Sequence, residues 1–557
     1  VSANSQTTLG GAILDALAAA SVPVIFGLPG VHNLPLWSAL RPDHPRILGV
    51  RHEQTAVYAA DGYARATGQL GVAVTTTGPG AANALAAFGE AASCGSPILV
   101  IASDVSAQLR ASGPGQSHLP RGILHEMADQ AALFAAFADR GVVSYTATDA
   151  AGALNFVLET IAAARTTPTA PRYLGVPSDL LAQACDSSAM TDAHRVSHRP
   201  VPAAANQQDI AALMSVLDSS NKVVLWAGGG VVQCGAEGER VVAALADRLG
   251  SPIVTSYAAR GVLANHPGII ATPVHEPEIE SLIAEADLLL GIGTSFDAMN
   301  TRNWRMPLPK NIAVIGLDPV LDRTFDFDVR VSADLVTTID ELLASMGPAA
   351  QGNTWAPISL DDDVRARLKT DERVTPALGL LDAVSRWPEA GAVVCDMAVA
   401  GYWVGGYAQQ PRARRLQYPV GWGTLGFGMP AAIGPASVGI PTLAVCGDGG
   451  PMFALGELAT MAQEDLPVTL LIVDDGGYGM LRFDQQVFGH PERGVDLVTP
   501  DWSTLAEAFG IPSVVVEDWP ELGDVLAAGS QGPRLVIIRS RLFPPKTTSP
   551  RWFEGAG

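Results

Sequence analysis

"CGDGGPMFALGELATMAQEDLPVTLLIVDDGGYGML" runs from Cys446 to Leu481. The apolar run "TLAVCGDGG" (442–450) enters it, and a second one, "PVTLLIVDD" (467–475), lies inside it. The stretch between them, about 452–464, has the length of a helix, so the unit predicts two parallel strands joined by a right-handed crossover. In an open parallel sheet, ligands gather at the carboxyl ends of the strands. Asp448 and Asp475, with Asp474 beside it, would therefore face one crevice. Two hard oxygen ligands suit Mg²⁺ or Ca²⁺, which complete their shells with carbonyl, water and phosphate oxygens. Gly476 and Gly477 allow close backbone approach, and the helix N-terminus after Gly449–Gly450 is placed to receive a phosphate. A metal-bridged diphosphate follows from this arrangement. The competing reading, two strand-end turns with solvated carboxylates, suits one Gly-Asp-Gly alone better than two acidic turns at successive strands.

The same alternation extends outward through the chain. "VPVIFGL" (22–28), "RILGV" (46–50), "LGVAVTT" (70–76), "SPILVIAS" (96–103) and "PRYLGVP" (171–177) are short apolar strands between Ala-rich helices. A polar linker over 185–209 leads to "KVVLWAGGGV" (222–231), a helix over about 235–249, and the strands "SPIVTSY", "ADLLLGIGTSF" and "NIAVIGLDP". A second linker, 347–363, precedes "GAVVCDMA" (391–398), the two strands above and "RLVIIRS" (534–540). The expected fold is α/β, with three doubly wound parallel-sheet domains over 1–185, 206–346 (Rossmann-like) and 364–545, and a tail or lid over 546–557. The first and third blocks look like structural duplicates.

Composition narrows the classes of function. The chain has 557 residues, 48% hydrophobic and 16% charged, with a formal net charge of −21. That balance indicates a well-buried globular protein. It argues against nucleic acid or an anionic membrane as a partner. Five scattered Cys without a C-x-x-C, no basic-then-apolar leader and no apolar run of membrane-spanning length lead to the expectation of a cytoplasmic protein with reduced thiols.

Gly447-Asp448-Gly449, a 24-residue interval and Asp474-Asp475 resemble the signature of the thiamine-diphosphate-dependent enzymes of the acetolactate synthase, pyruvate oxidase and benzoylformate decarboxylase group. That signature is Gly-Asp-Gly, an interval in the mid-twenties, then Asn-Asn; here both Asn are Asp. The resemblance implies Mg²⁺ held by Asp448, Asp475 and the Gly477 carbonyl, with thiamine diphosphate as cofactor. It also makes the three blocks pyrimidine-binding, central and diphosphate-binding domains. "FGLPG" (26–30) and "TTTGPGAANAL" (75–85) match the family's pyrimidine-side turns and carry Pro29, Gly30, Gly78 and Asn83. "GWGTLGFGMPAAIG" (421–434) carries Gly423 and Leu425, the latter expected to wedge under the cofactor and bend it. Gly447, Gly449, Gly450, Tyr478, Gly479 and Met480 are the remaining cofactor contacts the resemblance assigns. Glu53, in "GVRHEQTAVYAADGYARATG" (49–68), stands where the family keeps the acid that shares a proton with the aminopyrimidine. The apolar helix that follows is expected to bury it, and burial favours a protonated carboxyl.

For substrate chemistry, His32 stands where benzaldehyde lyase has a His, and His125 where relatives keep a substrate-facing Gln; both are candidate proton relays. Glu126 and Gln130 are neighbours without an assigned orientation. Asp484 replaces a Trp that recognises the acceptor in acetolactate synthases, and Arg482 and Asp484 are expected to lie on a solvated helix face. The Gly228–Gly230 triplet raises FAD or ADP in the central block, with Asp318 ending a later strand, but "DAMNTRNWRMP" matches poorly the Arg-rich stretch of FAD-binding members, so FAD is not expected. The reading is a decarboxylase or carboligase acting on a small-molecule 2-oxo acid, as a homodimer or homotetramer with active sites at the subunit interface. The alternatives are a 2-hydroxyacyl-CoA lyase or oxalyl-CoA decarboxylase, and a catalytically silent homologue.

Overall fold

The computed structural model describes residues 7–110, 122–185, 204–318, 320–321, 325–347, 355 and 360–547. Most of both expected linkers, and the tail beyond 547, lie outside the described residues. The chain forms two compact units. One comprises Val1–Val201 with Pro430–Ile440 and Ala454–Leu466; the other comprises Pro202–Met429, Pro441–Phe453 and Pro467–Gly557.

The first unit holds a six-stranded sheet in the spatial order Arg46–Gly49, Val24–Gly27, Gly71–Thr75, Ile98–Asp104, Arg172–Pro177, Val143–Thr146. Every pairing is parallel. Its central strands are buried along their whole length, as expected when helices cover both faces. Leu9, Ile13, Leu17, Val72, Leu99 and Leu174 are among the fully buried residues of its core. A two-residue antiparallel pair, Thr7–Thr8 with Ala184–Cys185, ties the two ends of this block together.

The second unit holds two more six-stranded parallel sheets. The central one runs Ile269–Ile270, Ile253–Thr255, Val223–Ala227, Leu288–Ile292, Asn311–Ile315, Val329–Val331. In chain order that is 3-2-1-4-5-6, the Rossmann arrangement. The other runs Leu416–Gln417, Ala392–Cys395, Thr442–Gly447, Val468–Asp474, Arg534–Arg539, Ser513–Val516. In chain order it is 2-1-3-4-6-5, the same permutation as the first block's sheet, so those two blocks share one topology. Strand order reverses between the first and third strands of this permutation, and the crevice at that switch point is where such sheets bind ligands.

Each sheet contains edge strands that no long apolar run announces: Val143–Thr146, Ile269–Ile270, Val329–Val331, Leu416–Gln417 and Ser513–Val516. The crossover after Thr442–Gly447 also differs from the expected helix over 452–464. A 3₁₀ turn, Pro451–Phe453, comes first, and the α-helix spans only Glu457–Gln463. Pro451 has no N–H to donate, and Gly456, which precedes the helix, offers no capping side chain. No helix among the described residues is long and apolar enough to cross a membrane.

Candidate active site

Asp396 follows the first strand of the last sheet and Asp448 its third, so the switch point is flanked by two carboxylates. Asp448 is buried, 1% exposed, and its Oδ2 has no hydrogen-bond partner. Burial pushes its pKa up to about 7, helped by the charges of Asp475 and Asp474. Asp475 lies one strand further on, its pKa raised by burial and held back by Arg482 and Arg541. The nearby Gly477 backbone favours the charged form of both carboxylates. Its carbonyl accepts from Gly479 N at 3.1 Å.

These groups line a cavity of about 320 Å³. Every diphosphate-side residue expected from the sequence borders it: the metal candidates Asp448, Asp475 and Gly477, then Gly447, Gly449 and Gly450, then Tyr478, Gly479 and Met480, with Gly423 and Leu425 opposite. Leu425 is 37% exposed, which leaves an apolar side chain standing at the cavity. No cluster of three or more His, Cys, Asp or Glu with metal-binding geometry occurs among the described residues. A cation here would rely on two carboxylates, a backbone carbonyl and oxygens from its ligand. That is the donor set of a Mg²⁺ bound to a phosphate ester, and the bare Oδ2 of Asp448 fits it.

Asp396 is the residue that sequence reasoning missed. Its Oδ1 accepts from Met397 N at 2.7 Å and Gly426 N at 2.9 Å; its Oδ2 accepts from Gly428 N at 3.2 Å. Burial pushes its pKa up to about 6, opposed by these backbone donors. One carboxylate thus fixes the turn that carries Leu425. A Cβ at Gly450 would come within 2.5 Å of Asp396 Oδ2, so only glycine lets the two turns approach. The signal was available: "VVCD" ends in an acid just as "AVCGD" does.

The expected helix N-terminus after Gly449–Gly450 is only the 3₁₀ turn, so no α-helical end faces a phosphate there. The nine-residue helix Gly479–Val487 begins at the cavity instead. Arg482 and Asp484 are buried on this helix, each 6% exposed, and not on a solvated face. The Arg482 guanidinium finds acceptors in a neighbouring loop, which is why it can be buried.

In the other unit, Glu53 opens the helix Glu53–Thr67, and residues Thr55–Ala64 behind it are buried. Glu53 itself is only half-buried. Asn83 Nδ2 donates to Glu53 Oε2 at 3.0 Å. Gly78 has φ of 61°, and a Cβ there would come 2.5 Å from the His125 carbonyl oxygen. His125 is exposed, itself at φ of 67°, with its ring 5.6 Å from that of His32 and nearly perpendicular. Burial lowers the pKa of His32, with a further push from His125; Asp104 opposes both. The Pro29–Gly30 turn is tied by buried Asn33, whose Oδ1 accepts from Gly30 N at 2.8 Å and whose Nδ2 donates to the Leu28 carbonyl at 3.2 Å. Glu53 is thus paired with Asn83, and Gly78, His125 and His32 lie neighbour to neighbour.

Gln130 does not face this constellation as a free group. Its Oε1 accepts from Gly78 N at 2.7 Å and Thr77 Oγ1 at 3.3 Å. Its Nε2 donates to the Ser103 carbonyl at 3.0 Å and the Tyr173 hydroxyl at 2.7 Å. Glu126 accepts from the Gly122 and Ile123 amides. In the central sheet, the Gly228 and Gly230 amides donate to the carbonyls of Ile292 and Gly293 at 2.9 and 2.8 Å, so two of the triplet's three donors go to packing against the neighbouring strand end.

Comparison with known proteins agrees with this geometry. The family model described as "Thiamine pyrophosphate enzyme, N-terminal TPP binding domain" matches residues 7–133, the corresponding central domain 210–342, and the C-terminal TPP binding domain 396–539. A protein of Pseudomonas aeruginosa named "Probable 2-ketoarginine decarboxylase AruI" is 32% identical over 548 residues, covering 96% of this chain and 94% of that one. An acetolactate synthase of Mycobacterium avium is 28% identical, covering 96% and 87%. The acetolactate synthase large subunit of Lactococcus lactis is 26% identical, covering 92% and 89%. The chain belongs to the thiamine pyrophosphate enzyme family, and it is a thiamine-diphosphate-dependent enzyme.

Proposed function

We propose that this enzyme is a Mg²⁺-requiring 2-oxo acid decarboxylase or carboligase whose cation sits between Asp448 and Asp475. The observation that carries this reading is the bare, buried Oδ2 of Asp448 beside a second carboxylate in the switch-point cavity. Asp448, Asp475 and the Gly477 carbonyl would hold the metal; Gly449, Gly450 and Gly479 leave room for a diphosphate; Leu425 would support the ring system. When bound, thiamine diphosphate supplies the nucleophilic carbon and the electron sink for loss of CO₂.

The chain's own residues do the rest. Glu53, which accepts a hydrogen bond from Asn83, would exchange a proton with the aminopyrimidine nitrogen. His32 and His125 stand edge to face and move protons at the substrate's carbonyl oxygen. Burial and the neighbouring His125 lower the His32 pKa, which favours the neutral form that can accept a proton. The exposure of His125 and the half-exposure of Glu53 support completion of the site by a second copy, in a homodimer or homotetramer. Cytoplasmic location is part of the same proposal.

The relatives' names point to 2-oxo acids of different size, 2-ketoarginine among them, and Asp484 in place of the acceptor-recognising Trp supports a substrate set unlike that of acetolactate synthases. The test is CO₂ release by the loaded enzyme from 2-ketoarginine, pyruvate and benzoylformate, with analysis of the products for new C–C bonds. Release from at least one acid is expected. A loaded enzyme that liberates no CO₂ from any 2-oxo acid would overturn the proposal.

A further inference from the structure

Asp475 adds a negative charge where the family signature has a neutral amide, and its surroundings show what accompanies the change. With Asp448 and Asp474 close enough to repel, a third carboxylate disfavours an incoming diphosphate even when a divalent cation is present. Arg482 lies within this group, its side chain 7% exposed. Its Nη1 is 3.8 Å from Asp475 Oδ2, close enough for charge compensation but too far to occupy the oxygen with a hydrogen bond. The hydrogen bonds go elsewhere. Nη1 donates to the Asp475 carbonyl at 3.4 Å; Nη2 donates to the Gly476 carbonyl at 3.2 Å and to Asp496 Oδ1 at 2.9 Å.

The same loop is pinned from its other side. Tyr478 N donates to the Val495 carbonyl at 2.8 Å, and Leu497 N to the Gly476 carbonyl at 2.9 Å. The guanidinium therefore straddles two loops, fixes the turn at 475–477, and places none of its hydrogen bonds on the Asp475 carboxylate oxygens. Arg541 adds a second positive charge facing Asp475.

We propose that Arg482 is a positioning residue that neutralises Asp475 through space and holds its turn, so that a diphosphate binds beside an aspartate where relatives carry an asparagine. This rests on the metal–diphosphate reading above. Removing Arg482 should act on the two ligands in opposite directions. A bare cation gains, because a like charge leaves; the diphosphate loses, because Asp475 is no longer offset.

The test is a cycle of Arg482→Met, Asp475→Asn and the double variant, with Arg482→Lys alongside. Mn²⁺ binding without diphosphate is read by its electron spin resonance, and thiamine diphosphate binding at saturating Mg²⁺ by near-ultraviolet circular dichroism. Arg482→Met should weaken diphosphate binding by roughly tenfold in the native background and by less than about threefold in the Asp475→Asn background, the size of coupling seen between groups in one charge network. Mn²⁺ binding alone should hold or tighten. Arg482→Lys keeps the charge but cannot span both loops, so it should recover only part of the diphosphate affinity lost in Arg482→Met. An equal loss in both backgrounds, or a parallel fall of Mn²⁺ and diphosphate affinity, would show that Arg482 only props the loop, and would overturn the proposal. Failure of the native protein itself to bind thiamine diphosphate with Mg²⁺ would instead sink the metal–diphosphate reading, and this inference with it.

Discussion

Asp448→Asn separates electrostatic cost from metal affinity. In the metal-free protein the Asp448 pKa is about 7, against roughly 3.9 for an unfolded aspartate. The folded state therefore holds its proton more tightly than the unfolded state. The stabilisation from this proton is complete below about pH 4 and is lost as pH rises through about 7. A difference of about three pKa units corresponds to ~4 kcal/mol at most. Thermal unfolding in EDTA between about pH 5 and pH 8 should show the native protein losing several degrees of Tm relative to Asp448→Asn, whose neutral side chain carries no such term. Mg²⁺ should restore the loss in the native protein only. Because coordination needs the carboxylate, Mg²⁺ affinity should fall roughly tenfold per pH unit below the Asp448 pKa. If Asp448→Asn shows the native pH slope, or is stabilised by Mg²⁺ to the native extent, the assignment of Asp448 is wrong.

Asp396→Ala removes the acceptor of three backbone amides, two of them in buried hydrogen bonds; a loss of about 3 kcal/mol, read by thermal unfolding, should accompany weakened cofactor binding. Glu53→Gln should keep thiamine diphosphate binding, seen by circular dichroism, while turnover falls by about 100-fold or more. Gly78→Ala combines a positive φ with a Cβ 2.5 Å from the His125 carbonyl oxygen, so it should lower both Tm and kcat, with the His32–His125 geometry disturbed.

The parts of the fold that the sequence shows plainly are its buried parallel strands. "VTLLIVD" carries a central apolar run because helices cover both faces, and it is buried throughout. Edge strands escape such a reading: "VSYT" and "SVVV" are half-solvated and lack a long apolar run. The acidic turns stand out because the crossover spaces them. Arg482 was misread because its partners, Asp496 and two loop carbonyls, are tertiary neighbours that no helical period reveals. The half-exposure of Glu53 was equally invisible, since the apolar helix behind it says nothing about the face in front. Asp396 was legible at a strand end and overlooked because it lacks flanking glycines.

The most direct measurement is the anomalous scattering of Mn²⁺ in crystals grown with thiamine diphosphate. A single cation is expected within coordination distance of the Asp448 and Asp475 carboxylates and in contact with the diphosphate. A cation bound elsewhere, or a diphosphate seated in the cavity with no metal touching Asp448, would contradict it.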